Sequence, residues 1–546
     1  MQFKKQLWLI IAAGWGVVAH AETNWVTTAT HAMKLTSAPQ NRMLLAVGAA
    51  ATNTLSTLDA SQKLHVVVSL KLQNTNDLDQ RLEQIRAGQL PPMTPDQFTA
   101  RYAPSNSQVQ SVIDYLTNNG FSHIQVAVNR QLISADGDSG AVKNAFNTPI
   151  QRNTAGQYAN ISDVQVPAVL GGIVLAVQGL QNIATMHTMS QKPMASTASS
   201  GVIGHSPTDF EQIYGAAELA NAQNTTIGII TQGYMNQTLT DLKTFTNTAG
   251  FPPVATHLSY VDNQIITQRD PDPKKDGTGE WNLDSQTALS TAGGAVKEMR
   301  FYVAPTMQNN DIVGAFNLAV TENVAQVVNI SLGECETADP GFVATADQIF
   351  KQGVLQGQTF SVSTGDNGAY TCGGNTPKTS YPAVSPYVVA VGGTTLVTKG
   401  NTIRTSESAW TNGGGGQSTL EVAPNWQLNA KVLGTSNKRG IPDIAFDGDP
   451  DSGALIYVDG EQQQIGGTSL SAPIFTGFWA RILSANANRL SNPVPSIYQY
   501  AAANPTLFNP ITKGSNGAYS AHAGWNYTTG WGSLKVDQFA QFIATH

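Results

Sequence analysis

Apolar residues in the first third of the chain follow strand and helix patterns in turn. Residues 64–70 form an apolar run typical of a strand, and residues 124–128 alternate as a strand does. Leu78, Leu82 and Ile85 repeat at the spacing of one helical face. Further helices are predicted from residue 95, with Thr94 as a cap and proline at the first helical position, and over residues 109–118 and 141–146. The pattern therefore predicts a compact α+β unit between residues 64 and 152.

After His205 the pattern changes to short β-branched runs with helical stretches between them. Continuous apolar runs are typical of parallel strands that are buried on both faces. The predicted strands are residues 227–230, 324–330, 359–363 and 388–391, and the predicted helices are residues 286–292, 311–323 and 344–356. Alternation of this kind predicts an α/β domain with a doubly wound sheet.

Two segments without such patterns mark the domain organisation. Lys4 and Lys5 precede an apolar run of about 12 residues and the cleavage pattern Ala19-His20-Ala21. This order is typical of a secretory signal peptide, because a membrane anchor needs roughly 20 apolar residues. Residues 186–204 lack periodicity and are rich in small residues, which predicts an exposed linker. The predicted parts are a signal peptide at 1–21, an N-terminal domain at 22–185, the linker at 186–204 and a C-terminal domain at 205–546.

Charge is sparse in this chain of 546 residues, of which 12% are charged, and the formal net charge is -7. A chain without a basic excess is not expected to bind nucleic acid. Since few ion pairs are available, little stability is lost when carboxylates become protonated, which favours tolerance of low pH.

The two cysteines exclude a disulfide framework and a four-cysteine zinc site. Cys335 and Cys372 either pair in an exported protein or remain free thiols.

A glycine-rich turn at residues 466–473 places Ser469 at or just before the start of a predicted helix. Free N–H groups and the helix dipole favour an oxyanion there. The alternative is an ordinary serine cap after a glycine turn.

A serine nucleophile also needs a base. The histidines after the linker are His205, His257, His522 and His546, and none lies in a histidine-glycine turn that opens a helix. We expect them at the surface, so a subtilisin-type Ser/His/Asp site, which would act at neutral to alkaline pH, lacks its base.

Carboxylates are the candidates that remain. Glu280 and Asp284 lie four residues apart on one helical face, next to the bulky apolar Trp281. In a packed helix such a pair shares protons and one pKa is raised; the alternative is a solvated acidic face. Asp366 lies in a glycine turn after an apolar strand, where open α/β sheets place ligands. It is either an ordinary turn former or a protonated acid that donates to a developing oxyanion.

Five motifs, in this order, resemble the sedolisin family of serine-carboxyl peptidases. They are Glu280-x-x-x-Asp284, Ser363-Thr364-Gly365-Asp366, Tyr381-Pro382-Ala383, Val391-Gly392-Gly393-Thr394 and Gly467-Thr468-Ser469-x-Ser471-x-Pro473, followed by Gly524-Trp525-Asn526 and Thr529-Gly530-Trp531-Gly532. The resemblance implies an α/β, subtilisin-like catalytic domain at 205–546 with a mostly parallel sheet. It also implies a ferredoxin-like α+β pro-domain before it, as an activation segment.

The resemblance assigns a role to each candidate. Ser469 is expected to be the nucleophile, Glu280 the general base and later the acid, and Asp284 the group that holds and polarises Glu280. Asp366, protonated, is expected to complete the oxyanion hole with the Ser469 N–H. Ser331, Leu332 and Gly333 are expected to line the cleft as an edge that pairs with peptide backbone.

The implied protein is a secreted, acid-acting peptidase made as an auto-processed proenzyme, with its pro-domain as an intramolecular inhibitor. Its expected partners are protein or peptide substrates, with no nucleic acid and no membrane, and we expect a monomer. The alternative from another class is a catalytically inactive module that binds peptides on a peptidase scaffold. That alternative would be expected to lack at least one of the four site residues.

Three positions depart from the family pattern. The family carries calcium near its C-terminus, held by two Asp side chains and backbone carbonyls, but Pro510 and Asn526 stand where those acids are expected. Because calcium affinity falls with carboxylate count, we expect no metal or only weak binding. Thr231 follows the first strand of the C-terminal domain, where some members carry a glutamate that supports the acid network.

Overall fold

The structure, a computed structural model, describes residues 24–35, 55–193, 202–272 and 275–545. The signal peptide predicted at 1–21 and the middle of the predicted linker lie outside the described residues. Among the described residues, no helix combines the length and apolar character needed to cross a membrane.

Four antiparallel strands and four helices build the N-terminal domain. They are β1 Lys63–Leu70, α1 Thr75–Arg86, α2 Pro95–Tyr102, α3 Asn106–Asn118, β2 Ser122–Val126, β3 Leu132–Asp138, α4 Ser139–Phe146 and β4 Val174–Gln178. The sheet order is β2-β3-β1-β4. This is the order of a ferredoxin-like fold, as predicted. Short strands outside the sheet are Trp25–Thr27, Ser56–Thr57, Ile150–Arg152, Tyr158–Asn160 and Gln165–Pro167.

Alternation along β1 divides its side chains between two cores. Val66 and Val68 belong to the domain's own core, which α3 and α4 cover. Val67, on the other face, belongs to the core of the C-terminal domain, together with Leu82 of α1 and Phe98 of α2. Because successive side chains of a strand point to opposite faces, this sheet is buried on both sides. The N-terminal domain is therefore packed against the rest of the chain through one apolar face.

The C-terminal domain is built around one large sheet. Its strands, with one preceding strand, are β5 His187–Thr188, β6 Ala222–Gln232, β7 Thr256–Tyr260, β8 Val296–Ala304, β9 Val327–Ile330, β10 Leu332–Cys335, β11 Thr359–Ser363, β12 Ser380–Tyr381, β13 Val389–Lys399, β14 Ile403–Ala409, β15 Gly416–Val422, β16 Lys438–Ile441, β17 Ile444–Asp447, β18 Ala454–Val458, β19 Glu461–Ile465, β20 Phe508–Asn509 and β21 Ser533–Leu534. The helices are α5 Phe210–Ile213, α6 Asn236–Ala249, α7 Thr278–Thr291, α8 Asn309–Glu322, α9 Pro340–Leu355, α10 Asn425–Asn429, α11 Thr468–Ala485, α12 Val494–Tyr500 and α13 Val536–Ile543.

The large sheet has the order β7-β8-β6-β9-β11-β13-β14, and β17 also pairs with β13. All of these pairs are parallel except the β13–β14 hairpin. Parallel strands with helices between them confirm the predicted α/β domain with a mostly parallel sheet.

Helices α7 and α11 cross in close contact beside this sheet. The contact point is Gly477 of α11, where an added Cβ would overlap Thr291 Oγ1 and Ala288 O of α7. A larger residue at this position would push the two helices apart. Both helices are buried almost along their whole length, so apolar and polar side chains alike are enclosed there.

Two features differ from the sequence expectations, and a third decides an alternative that the sequence left open. The described start of the linker is partly buried, since Met186 and Met189 are 1% and 6% accessible and β5 pairs antiparallel with β10, while His187 is exposed. His205 is fully buried beside the Phe210 ring, whereas His257 and His522 are exposed as expected. Cys335 and Cys372 form a disulfide bond.

Candidate active site

Two neighbouring parallel strands deliver two of the predicted site residues to one edge of the sheet. Strand β9 ends at Ile330, directly before Ser331, and β11 ends at Ser363, three residues before Asp366. Since the carboxyl ends of parallel strands meet at the same edge, both residues reach the same cleft. Strand β10, which includes Leu332 and Gly333, continues along this cleft.

Helix α7 carries the two predicted carboxylates into the interior. Glu280 is 2% accessible and Asp284 is fully buried. The Asp284 Oδ1 atom accepts a hydrogen bond of 2.5 Å from Ser331 Oγ, and Ser331 Oγ in turn accepts one of 2.9 Å from the Asn329 amide. Asp284 is thereby held in place by groups at the end of β9. The contribution of Asn329 was missed by sequence reasoning, although it lies two residues before a predicted cleft residue.

Asp366 is oriented by the residue before the predicted nucleophile. Its Oδ1 atom accepts hydrogen bonds of 2.8 Å from both the backbone N–H and the hydroxyl of Thr468. The Thr468 hydroxyl also accepts a bond of 3.0 Å from the Gly365 N–H. These bonds leave Oδ2 of Asp366 facing the cleft. Sequence reasoning missed Thr468, although it belongs to the quoted glycine-serine motif.

Ser469 is the second residue of α11 and is fully buried. The backbone before it is held at Gly467, with a φ of 107° that favours glycine. An added Cβ at Gly467 would lie 2.6 Å from Asp366 Oδ2 and would overlap the carbonyl oxygen of Met189. Glycine is thus required where the turn, the acid and the chain in the cleft meet.

Several buried oxygen atoms of this site have no hydrogen-bond partner. Within the described residues they are both carboxylate oxygens of Glu280, Oδ2 of Asp284, Oδ2 of Asp366 and Oγ of Ser469. Buried polar atoms without partners are costly and rare in folded proteins. Their concentration in one cleft is typical of a site built to act on a bound group.

Burial raises the pKa values of all three carboxyl groups. Burial raises the pKa of Asp366 to about 7, although its hydrogen bonds from Thr468 act in the opposite direction. For Glu280 and Asp284 burial is again the main cause of a raised pKa, and the negative charge of Glu280 raises that of Asp284 further. The hydroxyls of Ser469 and Ser190 favour the ionised form of Glu280, which means that both lie close to it.

A histidine base finds no support in this geometry. Both ring nitrogens of buried His205 lack a partner, and within the described residues no histidine forms a hydrogen bond with Ser469. Burial lowers the pKa of His205. The structure therefore brings Ser469 together with carboxyl groups and not with an imidazole.

The stretch matched to the calcium site does not fit a cation. Pro510 offers no side-chain oxygen, and the Asn526 amide nitrogen donates a hydrogen bond of 3.0 Å to the His522 carbonyl. The Asn526 Oδ1 atom is already used by the N–H groups of Thr528 and Thr529, both at 3.0 Å. Among the residues that the structure describes, no cluster of three His, Cys, Asp or Glu side chains could hold a metal.

Comparison with known proteins gives matches over both domains. The family described as "Pro-kumamolisin, activation domain" matches residues 50–183, and "Subtilase family" matches residues 284–532. Sedolisin from Pseudomonas sp. (strain 101) is 43% identical over 90% of this chain and 88% of its own length. Xanthomonalisin from Xanthomonas sp. (strain T-22) is 38% identical over 96% of this chain and 73% of its own length.

Two further comparisons agree with these matches. Kumamolisin from Bacillus sp. (strain MN-32) is 30% identical over 86% of this chain and 90% of its own length. The solved structure of Pseudomonas sedolisin (serine-carboxyl proteinase) complexed with two molecules of pseudo-iodotyrostatin matches with a TM-score of 0.60. It is 43% identical and covers 63% of this chain and 99% of that chain.

The raised pKa of Asp366 predicts how stability depends on pH. A carboxyl group with a folded-state pKa of about 7 stabilises the fold while it is protonated, and this contribution is lost as the pH rises towards 7. In a Ser469→Ala background, the Asp366→Asn variant should therefore lose less stability on going from about pH 4 to 7, by about 1.4 kcal/mol per pH unit. Urea unfolding at matched pH values measures the difference.

The control is Asp96→Asn, which removes an exposed carboxyl group in α2. Its stability should follow that of the parent across the same pH range. If the Asp366→Asn curve also runs parallel to the parent, Asp366 does not retain its proton in the folded state.

Proposed function

This chain belongs to the sedolisin family of serine-carboxyl peptidases, and we propose that it is a secreted proenzyme that cleaves peptide bonds at acidic pH through Ser469, Glu280 and Asp284. It is a serine-carboxyl peptidase with a subtilisin-like catalytic domain and a pro-domain of the kumamolisin type. The proposed roles of these residues rest on one observation, namely that oxygen atoms of Glu280, Asp366 and Ser469 lie without hydrogen-bond partners in one buried cleft.

The proposed reaction begins with proton transfer from Ser469 Oγ to the Glu280 carboxylate. The oxygen then attacks the carbonyl carbon of the scissile bond, and Glu280 returns the proton to the leaving amine. An acyl-enzyme remains, and water hydrolyses it with Glu280 again acting as the base. Asp284, fixed by the Ser331 hydroxyl, orients Glu280 and shares its proton.

The negative charge that develops on the carbonyl oxygen needs donors. The Ser469 N–H at the start of α11 is one, and a protonated Oδ2 of Asp366 is the other. An ionised Asp366 would repel this charge, whereas a protonated one donates to it. The raised pKa of Asp366 keeps this proton in place under acidic conditions.

The Glu280–Asp284 pair has to hold one negative charge to serve as the base. Two interacting carboxyl groups lose their protons in two separate steps, because the first negative charge opposes the second. Over the interval between these steps the pair carries one charge and one proton. The proposed reaction uses that state, in which one carboxylate serves as the base for Ser469.

The partners of the enzyme follow from its two domains. Protein and peptide substrates are expected for a peptidase of this family, and the pro-domain serves as an intramolecular inhibitor. Export rests on the Lys4–Ala21 pattern in the sequence. We propose a monomer that acts without nucleic acid or a membrane, in keeping with its net charge of -7.

Replacing the nucleophile tests the proposal directly. Ser469→Ala should lower kcat/KM on an acid-denatured protein substrate by about a thousandfold or more, because the attacking oxygen is gone. The matched control is Ser471→Ala, two residues further along α11, whose hydroxyl donates to the Phe446 and Asp447 carbonyls. It should keep activity within a few-fold of the parent.

Two outcomes of that experiment would overturn the assignment. Undiminished turnover by Ser469→Ala would exclude Ser469 as the nucleophile. A folded parent protein without any turnover across the acidic range would instead support the inactive peptide-binding module.

We propose that the mature fold does not need calcium. The Asn526 amide closes the loop at the His522 carbonyl with a hydrogen bond, where the family would use a cation. Treatment with excess EDTA or EGTA should leave the thermal unfolding midpoint and the activity unchanged, and added calcium should not raise either. A fall in the midpoint on chelation, restored by calcium, would contradict the proposal.

A further inference from the structure

The first residues of the predicted linker, directly after the N-terminal domain, lie in the cleft as an added strand. In antiparallel register, His187 of β5 faces Gly333 and Thr188 faces Leu332. The Met189 N–H then donates a hydrogen bond of 3.3 Å to the Ser331 carbonyl. A peptide bound to the edge of a sheet makes this kind of main-chain contact. The segment therefore lies along Ser331–Gly333, the edge that was expected to receive substrate.

The Met189 carbonyl oxygen lies beside the two groups proposed to donate hydrogen bonds to the oxyanion, the Ser469 N–H and Asp366 Oδ2. Its oxygen accepts a hydrogen bond of 3.2 Å from the Ser469 N–H. The same oxygen and Asp366 Oδ2 both lie within 3 Å of the point where a Cβ of Gly467 would stand. The Met189 carbonyl oxygen therefore occupies the position in which the oxyanion of an acyl-transfer reaction would be stabilised.

The residues after Met189 are also held. Glu280 lies close to the Ser190 hydroxyl and to the Met189 backbone, since both favour its ionised form. Gln191 and Gly466 exchange two backbone hydrogen bonds, of 2.9 and 2.8 Å. The chain is thus fixed on both sides of the bond between Met189 and Ser190, with the carbonyl between them.

A pocket encloses the Met189 side chain. Met189 is 6% accessible, while His187 is exposed and Thr188 half-buried. A Cβ added to Gly333 would lie 2.6 Å from the Met189 methyl carbon and would overlap Ser380 Oγ. The missing side chain at Gly333 therefore makes room for a long, unbranched group.

We propose that the Met189–Ser190 peptide bond is the first bond this enzyme hydrolyses in its own chain, and that the pocket beside Gly333 selects long, unbranched apolar side chains before the cleaved bond. The inference rests on the proposed function of Ser469 and Glu280. Beyond that function, the inference specifies which bond is cut and which side chain the pocket accepts.

The reaction balances without any further reagent except water. Glu280 takes the proton of Ser469 Oγ, which bonds to the Met189 carbonyl carbon while the bond from that carbon to Ser190 nitrogen breaks. The proton passes from Glu280 to that nitrogen, and Ser190 becomes a new N-terminus. Water then hydrolyses the ester on Ser469, so that the pro-domain ends in a Met189 carboxyl group and Ser469 regains its proton.

The first test follows processing of the full-length chain after a shift from neutral to acidic pH. Samples stopped at short times are read by N-terminal sequencing and intact mass. The first new N-terminus should be Ser190, followed by Gln191 and Lys192, and its rate should not depend on protein concentration. An earlier cut at another bond would overturn the inference.

Variants at Met189 make this test specific. Met189→Pro removes the N–H that donates to Ser331, so cleavage after residue 189 should slow by at least about a hundredfold. Met189→Leu keeps the N–H and a similar apolar volume, so its branched side chain should slow cleavage by no more than about tenfold. Unfolding of both variants in the Ser469→Ala background shows whether they fold. Equal processing of the two variants would contradict the inference.

A variant of the pocket tests the substrate preference on external peptides. In Gly333→Val the added side chain fills the space of the Met189 methyl group, so the kcat/KM ratio of peptides with methionine over alanine before the cleaved bond should fall at least about tenfold. An unchanged ratio would contradict the pocket assignment.

The experiments distinguish a wrong cleavage site from a protein that is not a peptidase. If the parent protein digests an external protein but its first new N-terminus is not Ser190, this inference is wrong and the proposed function stands. If the parent digests neither itself nor an external protein, the proposed function fails.

Discussion

Burial of carboxyl groups without positive partners is the constraint on which this molecule depends. An ionised carboxylate costs several kcal/mol to bury, whereas the protonated acid costs much less. Among the described groups that shift the pKa values of Glu280, Asp284 and Asp366, burial comes first and no cation appears. Since no cation lies among these groups, burial favours the protonated form of each of the three carboxyl groups.

The same constraint extends beyond the cleft. Burial also raises the pKa values of other enclosed carboxyl groups, namely Glu334, Asp339, Asp347, Glu421 and Asp447. Arg439 and Asp443 show the contrasting solution, a fully buried ion pair at 2.7 Å. A chain with 12% charged residues has few such pairs available, and burial opposes ionisation at these carboxyl groups.

Much of the architecture could be predicted from the sequence, because local patterns carried it. The capping box at Thr94 and the face of Leu78 and Leu82 appear as expected. The central strand β3 was missed, because it ends in Asp136-Gly137-Asp138 and its burial comes from neighbours distant in the sequence. Motif order was enough to nominate the residues that the fold brings to one cleft.

What the sequence could not show was set by partners distant along the chain. Residues 186–191 have the composition of a linker, yet they are ordered because the edge at Ser331–Gly333 offers backbone hydrogen bonds. Asn329 and Thr468 orient the acids through hydrogen bonds that no periodicity signals. His205 is buried beside Phe210 and through its β-bridge to Ala454 rather than by any pattern of its own.

The central claim is that Asp366 works only while it holds a proton, and the pH–rate profile of the processed enzyme on a denatured protein substrate tests it most directly. The account predicts that the rate falls as the pH rises through about 7, and that this fall is absent in Asp366→Asn, whose amide donates at every pH. A profile of the same shape in both enzymes would contradict the account.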